Sequence, residues 1–127
     1  MDKPKFTFQK TERIVLKKVI ENIFNMGESL FVYPLKVRYT VTERENSDVH
    51  AKVLISVPKK NFKKAVHRNR IKRLMREAYR LNKHLLILST QQQINVHFHY
   101  VSKTILPFHK IQESMTAILQ QISEKQI

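Results

Sequence analysis

The order of hydrophobic periods along these 127 residues predicts an α+β two-layer sandwich, helix, strand, strand, helix, strand, helix, with the helices on one sheet face. Three observations carry that expectation. Apolar residues recur at spacings of three and four in three segments, at a spacing of two in three others, and the two kinds interleave. A hydrophobic content of 42% is enough for one core and too little chain for two. One domain over 1–127 is expected, with an ordered core over about 6–122 and flexible ends.

Residues 12 to 26 read as the opening helix, because Leu16, Val19, Ile20, Ile23 and Phe24 fall on one face. Gly27, the only glycine of the chain, stands where a C-terminal cap needs a positive φ. From Phe31 the period becomes two. Leu35, Val37, Tyr39 and Val41 alternate with Lys36, Arg38, Thr40 and Thr42, as in a half-buried strand. Beyond the polar stretch Glu43 to Asp48, a second strand places Ala51, Val53, Ile55 and Val57 against His50, Lys52, Leu54 and Ser56. The two runs together suggest an antiparallel hairpin.

A helix from about Val66 to Lys83 follows, with Ile71, Leu74, Ala78 and Leu81 as its apolar seam. A linker through Gln91, Gln92 and Gln93 leads to a third strand, Ile94 to Val101, in which Val96, Phe98 and Tyr100 alternate with Asn95, His97 and His99. Pro107 is placed to open the last helix. Ile111, Met115, Ile118, Leu119 and Ile122 supply its buried stripe.

Charge narrows the function. Lys and Arg number 24 against 10 Asp and Glu, a formal net charge of +14, so an anionic partner is expected. Cysteine is absent, which removes disulfides and thiolate metal sites and fits a reducing, cytoplasmic compartment. No segment has the apolar run of a signal peptide or a membrane span, so no membrane partner is expected.

Most of the imbalance lies in one stretch. Residues 59 to 83 hold eleven bases (Lys59, Lys60, Lys63, Lys64, Arg68, Arg70, Lys72, Arg73, Arg76, Arg80 and Lys83) against the single acid Glu77. A merely solvated helix face balances its charges at spacings of three and four. Here Arg68 stacks with Lys72 and Arg76 with Arg80, which is mildly destabilising in isolation. Lys63, Lys64, His67 and Arg68 also crowd a helix N-terminus, where the macrodipole opposes cations until a phosphate is bound. Arginine is nearly as frequent as lysine, five to six, and its planar fork holds phosphate oxygens or stacks on a base. Such a one-sided layout is the footprint of a nucleic-acid-binding helix.

The run Lys59-Lys60-Asn61-Phe62-Lys63-Lys64-Ala65-Val66-His67-Arg68-Asn69-Arg70-Ile71-Lys72-Arg73-Leu74-Met75-Arg76-Glu77-Ala78-Tyr79-Arg80 closely resembles the signature of the bacterial ribonuclease P protein component, centred on Arg-Asn-Arg. Phe24 to Ser29 looks like the end of that family's first helix, and Lys52 to Val57 like the strand feeding the motif; residues 6 to about 122 can be matched. The resemblance implies a ribosomal-protein-like fold with a left-handed crossover between parallel strands, against the general preference. It also implies a subunit of a ribonucleoprotein that removes the 5′ leader of precursor tRNA. Ribonuclease P RNA and precursor tRNA would be the partners, not DNA. Mg²⁺ would be held mainly by the RNA subunit and the substrate, so no protein residue is expected to be catalytic or a metal ligand.

Carried over residue by residue, the family's catalytic-RNA contact maps to Lys59, Lys60, Lys64, Arg68, Asn69, Arg70, Lys72, Arg73, Arg76 and Arg80. Its leader-binding cleft maps to Phe8, Ile20, Phe24, Lys36, Arg38, Lys52, Ser56 and His97. Alternation alone turns Lys36, Arg38, Lys52, Ser56, Asn95, His97 and His99 away from the core, so both arguments reach one surface. The chain departs from the pattern at three cleft positions. Ile20 replaces one of two aromatics on the first helix, Arg38 stands where Tyr is frequent, and Leu54 where Gly is frequent. A cleft that leans on phosphate charge more than on stacking follows.

Other chemistries fare worse. His97 and His99 have a spacing metal sites use, but no Cys, Asp or Glu accompanies them in that strand, which favours two polar groups on an RNA-facing surface. A protein-only nuclease needs clustered carboxylates, whereas Glu43, Glu45 and Asp48 share a polar loop and the other acids are dispersed. Phe6, Phe8 and Phe24 are candidates to stack on unpaired bases, with packing of the N-terminal arm the alternative for the first two. A ribosomal structural protein and a DNA-reading helix are the competing classes; residues 66 to 83 offer cations and a buried seam rather than neutral base-reading side chains.

Overall fold

The computed structural model describes residues 27–43, 50–88 and 91–126. Among the described residues there are four strands, β1 (Glu28–Val32), β2 (Leu35–Glu43), β3 (Ala51–Ser56) and β4 (Gln92–Tyr100), and two long helices, α1 (Ala65–Asn82) and α2 (Phe108–Lys125), with a 3₁₀ turn at Lys83–Leu85. The opening helix over 12 to 26, the cleft positions Phe8, Ile20 and Phe24, and most of the polar loop after Glu43 lie outside the described residues. Among the described residues none has a positive φ. The helix that Gly27 was expected to cap lies outside them.

The sheet corrects the expected hairpin. Its order is β1-β2-β4-β3. β2 does not pair with β3; it pairs antiparallel with β4, and β3 lies parallel to β4 on the other side. Alternation reports which face a residue takes and is silent about which strand lies beside it. The hairpin that does form joins β1 to β2 through Tyr33 and Pro34, with Leu30 opposite Val37 and Val32 opposite Leu35. β1 itself was not expected as a strand. The signal was Pro34, which cannot continue a central strand and divides an apolar run in two. Gln92 and Gln93 belong to β4 rather than to a linker.

Leu35, Val37 and Tyr39 on β2, Ala51 and Val53 on β3, and Ile94, Val96, Phe98 and Tyr100 on β4 are buried on one sheet face. Both helices pack on that face, α1 over β3 and α2 over β1 and β2. The stripe expected on the last helix holds, since Ile111, Met115, Ile118, Leu119 and Ile122 are all fully buried. On α1 the seam is rotated from the expected one. Ile71, Met75, Ala78, Tyr79 and Asn82 are buried, Leu74 is half-buried, and Leu81 is exposed. The rotation brings Tyr79 beside Phe98, ring centroids 6.0 Å apart, and burying a ring of that size is worth about 1.5–3 kcal/mol.

Buried polar groups find partners that lock the layers. Ser114 Oγ donates to the Val32 carbonyl at 2.6 Å, tying α2 to the edge strand. Ser123 Oγ donates to the Leu85 carbonyl at 2.7 Å and accepts from the Ile87 amide at 2.8 Å, fastening the end of α2 to the segment after α1. The sheet face opposite the helices is left to other uses.

Candidate nucleic-acid interface

Two cationic surfaces result. On α1, Asn69, Arg73, Arg76 and Arg80 follow one another at spacings of four, three and four, on the side away from the buried stripe. Asn69, Arg70 and Arg73 are exposed, while Lys72, Arg76 and Arg80 are half-buried. The first turn contains no acid, and Lys64 at the N-cap supplies no side-chain cap. Glu77 chelates Arg80, whose Nε donates to Oε2 at 3.2 Å and whose Nη2 donates to Oε1. That contact holds the Glu77 carboxyl below the usual range. Arg80 is thus already engaged within the helix.

Arg68 does something the sequence did not foretell. Its Nη1 donates to the carbonyls of Phe62 and Lys63 at 2.7 and 2.9 Å, folding the guanidinium back over the loop before α1. Phe62 is buried against Tyr100, ring centroids 6.0 Å apart. The loop is therefore pinned at both Phe62 and Arg68, and Lys59, Lys60, Lys63 and Lys64 stand out from it into solvent. Arg68 organises cations as well as being one.

The second surface is a cleft of about 510 Å³ on the open face of the sheet, lined by Lys36, Arg38, Leu54, Ser56, His97 and His99. The register aligns these residues in rows across three strands. Lys36, His99 and Ser56 form one row, and Arg38, His97 and Leu54 the next. Of the expected cleft residues among those described, Lys36, Arg38, Ser56 and His97 come together. Lys52 lies one row further along, beside Asn95 and outside the lining. Because β4 is a central strand, His97 and Asn95 are buried although they point away from the core. The cleft floor is therefore formed by largely buried neutral groups, and the cations sit at its rim.

Ser56 Oγ lies 2.7 Å from His97 Nε2 and 2.7 Å from His99 Nδ1. A hydroxyl has one proton to give. When both imidazoles are neutral, one ring accepts from Ser56 and the other donates to it, so their tautomers are complementary. Neutrality is what the surroundings enforce. Burial pushes the His97 imidazole down to about 4, with His99 and Arg38 adding to the shift. His99 is pushed down as well, by burial first and then by Lys36 and Lys60. Lys60 thereby links the basic loop to the cleft. Sequence reasoning placed Lys60 with the helix, Leu54 at a cleft position and His99 on the outward face without assigning it a leader contact; the row register is what joins them.

Comparison with known proteins agrees with this layout. The family model described as Ribonuclease P matches residues 8–123. A ribonuclease P protein component from Porphyromonas gingivalis (strain W83) is 41% identical over 123 residues, covering 94% of this chain and 89% of that one. The Staphylococcus aureus RNase P protein superposes with a TM-score of 0.65 at 27% identity, covering 88% of this chain and 95% of that one. The Thermotoga maritima RNase P protein has the same fold, with a TM-score of 0.70 at 24% identity over 87% of this chain and 97% of its own. Among the described residues no helix is long and apolar enough to cross a membrane. Matched through its motif, its sheet and nearly its whole length, the chain belongs to the ribonuclease P protein family, the protein subunits of the ribonucleoprotein endonuclease that matures tRNA 5′ ends.

Proposed function

We propose that α1 and its preceding loop bind the catalytic RNA, while the open-face cleft receives the 5′ leader of precursor tRNA in the cytoplasm. The observation that supports this division is the difference in form between the two surfaces. A ridge of exposed Arg and Lys suits the regular phosphates of a structured RNA. A cleft with a rim of Lys36 and Arg38 over neutral hydrogen-bonding groups suits a single strand.

In this reading the protein positions substrate and does not cut it. Hydrolysis of a phosphodiester requires charge stabilisation on both the attacking and the leaving oxygen, which divalent ions bound by carboxylates or phosphates provide. Among the described residues the cleft lining has no carboxylate. Mg²⁺ is then held by the RNA subunit and the substrate, and the protein residues neutralise leader phosphates beside it. Lys36 and Arg38 raise the affinity for precursor over mature product, because only the precursor has a strand to place between them.

The test is cleavage of a precursor tRNA at low Mg²⁺ by a bacterial ribonuclease P RNA with and without this protein. Accurate 5′ cleavage restored by the protein, with protein alone inactive, is the expected result. Tight RNA binding without any effect on cleavage by a cognate RNA would move the protein to a structural role in another ribonucleoprotein.

A further inference from the structure

β1 is an edge strand, and Phe31 on it is 60% exposed. A single exposed aromatic needs no explanation by itself. The register of this one supplies a reason. Phe31 pairs with Lys36, Lys36 with His99, and Ser56 with His99. Directly opposed residues share a sheet face. One row across the open face therefore reads Phe31, Lys36, His99, Ser56, and its last three members line the cleft. The phenyl ring stands one strand spacing, about 5 Å, outside the cationic rim.

The core does not claim this side chain, since its neighbours Leu30 and Val32 take the face that packs against the helices. Among the described residues that line the cleft, none carries a phenyl or phenol ring. A single RNA strand alternates an anionic phosphate with a flat base. The row offers a cation for the one and, in the adjoining position, a π face for the other. An uncovered aromatic on an edge strand is also a liability for edge-to-edge association, which a stacked base would relieve.

We propose that Phe31 is a stacking platform for an unpaired leader base at the β1 edge of the cleft, with Lys36 holding the adjoining phosphate. The proposal rests on the reading of the cleft as the leader site. Its test uses holoenzyme reconstituted with a bacterial ribonuclease P RNA, and compares affinity for a precursor tRNA with a multi-nucleotide leader and the same tRNA with a single-nucleotide leader. Phe31→Leu should weaken the long-leader precursor by about five- to tenfold, the lower part of the range for one base–aromatic stack, with the loss confined to that substrate. Phe31→Tyr should restore it. Because the chain has no Trp, Phe31→Trp introduces a lone indole whose emission should change with the long leader only. Equal losses on both substrates, or no loss with a silent indole, overturn the proposal. The double variant Lys36→Ala/Arg38→Ala separates the two levels. If it abolishes the long-leader preference while Phe31→Leu keeps it, stacking fails and the cleft reading stands; if neither variant alters the preference, both fall.

Discussion

On α1 the cations stand on a ridge in solvent, whereas on the sheet they stand at the rim of a cleft floored by two neutral imidazoles. On and beside the ridge, Arg68 holds the preceding loop and Arg80 pairs with Glu77. In the cleft, charge and structure are coupled, because Lys36, Arg38 and Lys60 help keep the histidines neutral and Ser56 joins them. The difference separates binding from fit. Exposed charge reads phosphate by number and is screened by salt, while a hydrogen-bonded cleft adds shape, and changes there are felt by the fold.

The largest effect expected from breaking this contrast is on the ridge. Arg70→Ala/Arg73→Ala should weaken binding to ribonuclease P RNA by roughly a hundredfold at low salt and reduce the log–log salt slope by about 1.4–1.8, without changing thermal stability. An unchanged slope in a filter-binding or fluorescence titration would remove the ridge from the contact surface.

Second comes acid titration of the cleft. His97 binds its proton more weakly folded, at about 4, than unfolded, near 6.5. The unfolded chain therefore takes up the extra proton between those values, and stability should fall as pH drops from about 6.5 to 4, by roughly 3 kcal/mol at most. Above pH 7 this contribution to pH dependence vanishes. Denaturant unfolding of His97→Gln should show a flatter profile over that window; an identical profile would mean the imidazole is not the titrating group.

Arg68 sharpens the comparison at the boundary of the two surfaces. Arg68→Ala should cost about 1 kcal/mol of stability, through the carbonyls of Phe62 and Lys63, in addition to its effect on RNA affinity. Arg70→Ala should affect affinity alone. Equal unfolding midpoints for the two would mean that the Arg68 contacts are worth nothing in solution. The smallest change expected is from Glu77→Gln, which releases Arg80 and should raise RNA affinity by about twofold, in keeping with a surface pair. A loss of affinity would show that Arg80 needs Glu77 to be held in place.

Much of this molecule could be read from residue order. The alternating faces of Leu35 to Thr42, of Ala51 to Ser56 and of Asn95 to Tyr100 followed from alternation, and all five stripe residues of α2 followed from their spacing, because both periods are local properties of the backbone. The cleft was legible in part for the same reason: Lys36, Arg38, Ser56 and His97 are on the polar side of three strands. Elements were harder where one residue type serves two ends. Leu81 and Met75 are both apolar and both at helical spacing, and only the packing of α1 beside α2 and over β3 puts Met75 inside and Leu81 outside.

The sequence by itself determined the α+β class, the cationic segment from 59 to 83 and the family that this segment marks. These depend on composition, period and contiguous motif, none of which needs a neighbour in space. Tertiary structure alone decided that β4 separates β2 from β3, that Arg68 holds a loop, and that Phe31, Lys36, His99 and Ser56 share one row. The physical reason is that strand order and register are chosen by the burial of the whole sheet against both helices, so residues far apart in the chain meet only once that burial is complete.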